Sequence, residues 1–380
     1  MLGFGTMRLP QLPDKTVDVE MTRRMIDTAI RSGVNYFDTA APYHDGKSEV
    51  VTGQILKDYP RDSWYLADKY PGHQHSASFN PAETFGKQLQ KCGVDYFDFY
   101  LMHNMCENSL ETYMNPEWGI LDYFVEQKKQ GRIRHLGFSS HAEPAVLRQI
   151  LESPYGRHME FCQIQLNYLD WTLQDARQKC EILAEYGIPV WVMEPVRGGL
   201  LAAPGAAAEE RMAALRPGCS PASWAFRYLQ GLPGVKVILS GMSAPEQVSD
   251  NLRTFESPDP LSEKELALLD EVAAEIMKDR VPCTGCRYCT DVCPQGLDIP
   301  MFMSSYNDLA VQSSFTALMR IEALPAELQP SACLGCGACM QICPQSIQIP
   351  DTIQSLRDKL ASMPTWREIC RQREMIARQE

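Results

Sequence analysis

Near the C-terminus one cysteine pattern, Cys-x2-Cys-x2-Cys-x3-Cys-Pro, occurs twice: Cys283, Cys286, Cys289 and Cys293 before Pro294, and Cys333, Cys336, Cys339 and Cys343 before Pro344. Three thiolates spaced two residues apart can grip three irons from one tight loop, while the fourth Cys, carried past a turn, reaches the neighbouring cluster. The spacing predicts two [4Fe–4S] clusters. One would sit on Cys283, Cys286, Cys289 and Cys343, and the other on Cys333, Cys336, Cys339 and Cys293. Zinc is the competing reading, but zinc sites normally present two Cys-x2-Cys knuckles separated by a spacer, not three Cys in one run.

At 380 residues the chain is too long for a ferredoxin alone, and 44% apolar with 22% charged residues leaves room for a large core. Two domains are expected. A formal charge of -12 makes nucleic acid and anionic membranes poor partners. Eight of the 14 Cys belong to the two runs, and the other six show no pairing pattern, which fits a reducing compartment better than a disulfide framework. The start lacks the basic segment and apolar run of a signal peptide, and no stretch approaches the roughly 20 apolar residues of a spanning helix. A cytoplasmic protein is expected.

From residue 1 to about 275, short β-branched or aromatic runs alternate with helical patterns. The strand candidates are 2–5, 35–38, 64–68, 97–101, 133–138, 161–165, 190–194 and 236–239. Between the second and third of them and their neighbours lie apolar stripes at helical spacing; one helix is announced by Asn80 as N-cap, Pro81 at the first position and Gly93 as its stop. Eight strand–helix repeats point to a (β/α)8 TIM barrel, since a doubly wound sheet would more often show fewer strands and a Gly-rich first turn. No G-x-G-x-x-G follows any strand. Residues 276–282 read as a linker, 283–350 as a small, mainly helical ferredoxin-like domain, and 351–380 as a polar helical tail that could dock through Leu356, Leu360, Trp366 and Ile369.

In such a barrel the chemistry sits at the C-terminal ends of the strands. Asp38 closes the second strand, Tyr43 lies in the loop that follows, Lys69 comes after the third and His103 after the fourth. Each alone is bland; together their types make one machine. A neighbouring ammonium favours a phenolate, so Lys69 is expected to lower the pKa of Tyr43, and Asp38 can pair the buried ammonium. His103 can donate a hydrogen bond to a carbonyl oxygen while Tyr43 delivers a proton. His73 and His75 form a His-x-His that reads as a surface loop for want of a third ligand. Arg197 is equally suited to a pyrophosphate or to an acidic neighbour.

At these residues the sequence resembles the aldo-keto reductases. The resemblance rests on Gly3-Phe4-Gly5-Thr6-Met7-Arg8-Leu9-Pro10, Gly33-Val34-Asn35-Tyr36-Phe37-Asp38-Thr39-Ala40 with Tyr43, Ala67-Asp68-Lys69 and Tyr100-Leu101-Met102-His103. It implies that Asp38, Tyr43, Lys69 and His103 are a catalytic tetrad with Tyr43 as proton donor, and that hydride comes from NADPH or NADH bound without a Rossmann fold. It further implies nicotinamide contacts from Ser139, Ser140 and Gln163, a pyrophosphate loop including Pro195 and Gly199, and adenosine contacts from Gly241, Ser243 and Asn251. The aromatic residue that often stacks in this family is replaced by Glu194. No basic residue lies between Lys236 and Arg253, so the usual clamp on a 2′-phosphate is missing. The start also lacks the hairpin that commonly closes the barrel floor, and the C-terminal tail is a candidate to cover it. The Cys runs resemble the ferredoxin module fused to one branch of the family.

These readings converge on an oxidoreductase acting on a small carbonyl or alcohol. Hydride carries two electrons together whereas each cluster carries one, and the usual converter, a flavin, shows no motif here. Three arrangements stay open: a conventional reductase whose clusters are structural or tether a redox protein partner, a cluster-fed reduction of a barrel-bound substrate or flavin, and a nicotinamide-binding redox sensor with little turnover.

Overall fold

Eight short apolar runs become eight parallel strands in the computed structural model: β1 (Leu2–Gly5), β2 (Tyr36–Asp38), β3 (Tyr65–Tyr70), β4 (Phe97–Met102), β5 (Ile133–Ser140), β6 (Cys162–Gln165), β7 (Val190–Met193) and β8 (Val235–Gly241). Each pairs with the next and β8 returns to β1, which closes the barrel. The structure describes every residue except 75, 77, 258, 279, 284, 286, 312–314, 344 and 378–380. His75, Asp279 of the linker, Cys286 and Pro344 therefore lie outside the described residues.

Parallel neighbours require a crossover, and the helices supply it. The Val19–Arg31 helix starts where the Asp18 side chain accepts from the Met21 amide. Pro81–Cys92 starts where Asn80 accepts from Glu83 and stops at Gly93, whose φ of +64° is the left-handed conformation that ends helices. Tyr36, Leu101, Phe161, Trp191, Val237 and Leu239 fill the barrel interior. Gly3 must stay small because a Cβ there would lie 2.7 Å from Leu239 Cδ2. In the core cluster separate from that interior, Phe4, Phe37, Phe97 and Phe138 of the strands and Phe85 and Phe124 of the helices are fully buried. Truncating any of them to Ala is expected to cost about 3–5 kcal/mol.

The strand register places the polar residues singled out above at one end. Gly5 pairs with Asp38, Asp38 with Ala67, Lys69 with Leu101, and Ser139 with Gln163. At the opposite end the Met1 ammonium donates to the Lys236 carbonyl at 2.9 Å, beside an open groove lined by Leu2, Val34, Leu229 and Phe255.

The chain divides into two compact units, 1–270 with 373–380, and 271–372. In the second unit the two Cys loops follow one path. Gly285 and Gly335 turn through φ +68° and +66°, Arg287 and Gly337 through +66° and +74°. Each loop enters a short helix, Tyr288–Asp291 or Ala338–Ile342, that carries Cys289 or Cys339. Longer helices, Ile299–Val311 and Ile349–Ala361, follow at matching places. Phe302, Met303, Ile349, Ile353 and Leu356 pack around Cys289 and Cys339. Trp366 and Ile369 form a further cluster with Leu318 and Met319, and Leu360 packs against both. The apolar residues of the tail thus belong to the core of the second unit. Among the described residues no helix is long and apolar enough to cross a membrane.

Candidate active site

Lys69 is completely buried, and its Nζ donates to Asp38 Oδ1 at 2.6 Å and to the Thr39 carbonyl at 2.7 Å. Asp38 Oδ2 has no hydrogen-bond partner among the described residues. The Tyr43 ring centroid lies 5.0 Å from Nζ, and the His103 ring stands edge-on to Tyr43 at 6.0 Å. Asp38, Tyr43, Lys69 and His103 are therefore brought around one point. Tyr43 holds its place because the chain turns sharply after it: His44 and Asp45 adopt φ +51° and +52°, and His44 Nε2 accepts from the Leu9 amide. Thr6 and Thr39 meet on Ser48 Oγ at 2.6 and 2.9 Å, which pins the ends of β1 and β2.

The electrostatics differ in one respect from the sequence expectation. Burial pushes the Tyr43 phenol up; the Lys69 charge pulls it down without reversing the direction. The reason is that desolvation of the phenolate outweighs the pull of one cation. Burial pulls Lys69 down, but Asp38 and Tyr43 more than compensate and its ammonium is held above the usual lysine value. Burial raises Asp38 despite Lys69. His103 is driven well below the usual histidine value by burial first, then by the charges of His73 and Lys69, so the neutral imidazole dominates. Its Nδ1 has no partner among the described residues.

A second polar layer supports the first. Asp68 Oδ1 accepts the Lys69 amide at 2.8 Å, and Gln88 Nε2 bridges the Lys69 carbonyl (3.0 Å) and Glu49 Oε1 (3.1 Å). Tyr100 donates to Gln88 Oε1, and Lys91 pairs with Glu49 at 3.1 Å. Burial and the nearby Glu49 carboxylate push Asp68 well above the carboxylate range. Each of these groups bonds another, as buried polar groups must.

The expected nicotinamide side lies at the ends of β5 to β8. Ser139 Oγ accepts the Asn104 amide at 2.8 Å, and Ser140 Oγ donates to the Met105 carbonyl at 2.7 Å, so both hydroxyls tie the loops after β4 and β5. Gln163 is 2% exposed and its Oε1 has no partner among the described residues: a buried acceptor suited to an amide N–H. Pro195 is buried, while Gly199, at φ +100°, and Ser243 are exposed. Gly241 faces Arg8, whose Cβ would lie 3.3 Å from an added Cβ. Asn251 is committed to Ser240 Oγ at 2.8 Å. Arg197 proves to be paired with an acid: its Nε sits 3.0 and 3.2 Å from the two oxygens of fully buried Asp170. Asn167 joins Asp170 Oδ2 (2.6 Å) to the Glu194 carbonyl (2.9 Å), anchoring the loop after β7. Glu194 itself pairs with exposed Arg8 at 3.5 Å.

In the second unit Cys283, Cys289 and Cys343 line one small cavity with Ile299, Met303 and Ile349. Cys339 is pushed up by burial and by its neighbours Cys333 and Cys336, and Cys293 packs into the same core. Among the described residues no three Cys, His, Asp or Glu side chains converge on a single-ion site; thiolates around a four-iron cube attach to different irons and need not share one point.

Three features had no clear signal in the sequence. His73, read as a surface residue, is 7% exposed and packs on His103 with ring centroids 4.3 Å apart. Tyr113 donates to the carbonyls of Tyr70 and His103 at 2.9 and 2.8 Å and clamps the two loops together. The Asn167–Asp170–Arg197 anchor joins residues whose only sequence mark is the short spacing of Asn167 and Asp170.

Residues 1–274 match the aldo/keto reductase family, and residues 282–347 match a 4Fe-4S dicluster domain. Among curated proteins the chain is similar to the NADH-specific methylglyoxal reductase of Escherichia coli (strain K12), 26% identical over 72% of this chain and 94% of that one. An uncharacterized oxidoreductase of Bacillus subtilis (strain 168) is 24% identical over 73% and 94% of the two chains. Among solved structures the holo form of aldo-keto reductase AKR11C1 from Bacillus halodurans superposes with a TM-score of 0.57 at 25% identity, covering 71% of this chain and 91% of that chain. An aldo-keto reductase from Klebsiella pneumoniae in complex with NADPH gives 0.59 at 22% identity, covering 72% and 90%, and supports the fold alone. The chain is an oxidoreductase of the aldo/keto reductase family whose barrel is followed by a 4Fe-4S dicluster domain.

Proposed function

We propose that the barrel reduces a small carbonyl compound to the alcohol, or runs the reverse oxidation, with Tyr43 as proton donor. The observation that carries this reading is the Asp38–Lys69 pair, buried and 2.6 Å apart, beside the Tyr43 phenol and a neutral His103. When bound, NADH or NADPH supplies the hydride. Tyr43 gives its proton to the carbonyl oxygen as negative charge develops there, and Lys69 stabilises the phenolate left behind. Asp38 keeps the ammonium charged in a site where burial alone would favour the neutral amine. His103, uncharged, donates a hydrogen bond to the same oxygen without competing for the proton. The lone Gln163 Oε1 fits the nicotinamide carboxamide, and Ser139 stands beside it in register. The loop anchored by Asp170 offers Pro195 and Gly199 to the pyrophosphate, with Gly241, Ser243 and Asn251 on the adenosine side. The absence of a basic residue between Lys236 and Arg253 favours NADH over NADPH.

In the C-terminal domain two [4Fe–4S] clusters are assigned to Cys283, Cys286, Cys289 and Cys343, and to Cys333, Cys336, Cys339 and Cys293. The shared cavity of Cys283, Cys289 and Cys343 supports this crossed arrangement, because Cys343 comes from the other run. The clusters are read as one-electron carriers for a redox partner.

The test is anaerobic. Protein carrying its clusters is mixed with NADH or NADPH in separate samples, and a panel of aldehydes and ketones is screened for nicotinamide oxidation. Turnover that is lost in Tyr43→Phe supports the reading; turnover unchanged by that substitution refutes the role of Tyr43. Cluster bleaching by nicotinamide alone, with a new EPR signal, would add internal electron transfer to the picture.

A further inference from the structure

The two Cys runs of the second unit follow one path but carry different charges. Aligned on their cysteines, Arg287 falls on Gly337 and Asp298 on Gln348. From Cys333 to Pro350 there is no acidic or basic residue, whereas the equivalent stretch holds Arg287, Asp291 and Asp298. Arg287 and Gly337 share the left-handed conformation, at φ +66° and +74°. Glycine adopts it freely, and arginine only at a cost. Arg287 Nη2 pairs with Asp298 Oδ2 at 3.0 Å, but the two side chains are 57% and 36% exposed, and an ion pair so open to water contributes little. The pair alone therefore does not account for an arginine at this position.

The cavity does. Arg287 lines the space shared by Cys283, Cys289 and Cys343, and among the described residues it is the one charged side chain there besides the cysteines. Ile299, Met303, Ile347 and Ile349 make most of the remaining lining apolar, and a charge beside such a lining is poorly screened. Asp298 accepts the Met301 amide on Oδ1 at 3.3 Å and holds the guanidinium with Oδ2, without lining the cavity itself.

We propose that Arg287 makes the two clusters unequal: its charge raises the reduction potential of the cluster assigned to Cys283, Cys286, Cys289 and Cys343, so that the first electron from a one-electron donor comes to rest there. This rests on the two-cluster reading above. Reduction adds one negative charge to a cluster, and a nearby cation stabilises the reduced form more than the oxidised one; net charge and the surroundings of the sulfurs are among the levers that set such potentials. Gly337 has no side chain to do the same for the cluster assigned to Cys333, Cys336, Cys339 and Cys293, and its run has no other charge. Electron transfer within the unit thereby gains a direction, toward the first run.

The experiment is an anaerobic redox titration of the full-length, cluster-loaded protein with dithionite and mediators, followed by EPR. Iron and sulfide analysis comes first: fewer than about eight irons per chain would refute the two-cluster reading itself, whatever Arg287 does. Wild-type protein is expected to show two separate potentials. Arg287→Gly, which gives the first loop the residue that the second already has, is expected to lower one potential and leave the other in place. The equilibrium between the clusters should shift roughly tenfold, or about 59 mV for one electron. Arg287→Gln should follow Arg287→Gly, whereas Arg287→Lys, which keeps the charge, should stay within about threefold of wild type. Gly337→Arg on the Arg287→Gly background is expected to raise the other potential and reverse the order of the two clusters. Coincident potentials in wild type, an Arg287→Gly protein with both potentials unchanged or equally moved, or a Lys variant that behaves like the Gly variant would each overturn the proposal. Should Arg287→Gly lose its clusters, Gly337→Arg in otherwise wild-type protein decides: a rise of the lower potential supports the proposal, and no rise overturns it.

Discussion

Replacing Lys69 by Met tests the electrostatic core of the site. Nζ and Asp38 Oδ1 are 2.6 Å apart with side chains 0% and 4% exposed. At an effective dielectric of about 20 their charges attract by about 6 kcal/mol, offset by a desolvation penalty of several kcal/mol per ion. Removing the ammonium leaves the penalty on Asp38 and takes away the attraction, so Lys69→Met is expected to destabilise the barrel by about 3–5 kcal/mol. The double variant Asp38→Leu/Lys69→Met removes both charges and loses mainly the bond to the Thr39 carbonyl, so it is expected to fall only about 1–3 kcal/mol below wild type. The assay is urea unfolding of the cluster-loaded protein followed by tryptophan fluorescence, comparing the barrel transition alone, because a two-domain chain need not unfold in one step. The sign of the pH dependence is also determined. Asp38 already lies above the usual carboxylate value with Lys69 present, so without it the folded carboxyl takes up its proton at higher pH than the unfolded one. The Lys69→Met deficit should therefore shrink as pH falls toward 5 and be largest near 8. A single variant within about 1 kcal/mol of wild type, or a double variant as unstable as the sum of the singles, would refute the reasoning.

Tyr43→Phe should cut kcat by a factor of about 10²–10⁴, the usual weight of a positioned proton donor, while nicotinamide binding followed by fluorescence stays within about twofold of wild type. Because burial holds His103 well below the usual value of 6.5, the pH profile of kcat/KM should stay flat through that value; an acid limb centred there and lost in His103→Gln would mean that the charged imidazole is accessible. Cys339→Ser should lower the iron and sulfide content by about half and weaken the visible absorbance, with barrel secondary structure by circular dichroism retained; unchanged iron content would remove Cys339 from the cluster assignment.

Much of this molecule is written in short-range order along the chain. The eight strands, closed in the barrel as β1 to β8, lie within a residue or two of their sequence positions, because strand and helix periodicities are local. The doubled Cys run states its chemistry through spacing alone, since the loop that presents three thiolates is only a few residues long. The four polar types at successive strand ends were equally legible, because barrel topology carries each strand end to the same rim. What only the tertiary structure decided involves sums over distant neighbours. The direction of the Tyr43 shift depends on how completely the surrounding loops exclude water, which one favourable partner, Lys69, does not reveal. Arg197 found Asp170, His73 found His103 through the Tyr113 clamp, and the tail found the second unit's core, all across loops whose paths follow from packing and not from periodicity. Residue type and spacing say which chemistry a chain carries; burial and contact between remote segments set the charge, the orientation and the neighbours with which that chemistry operates.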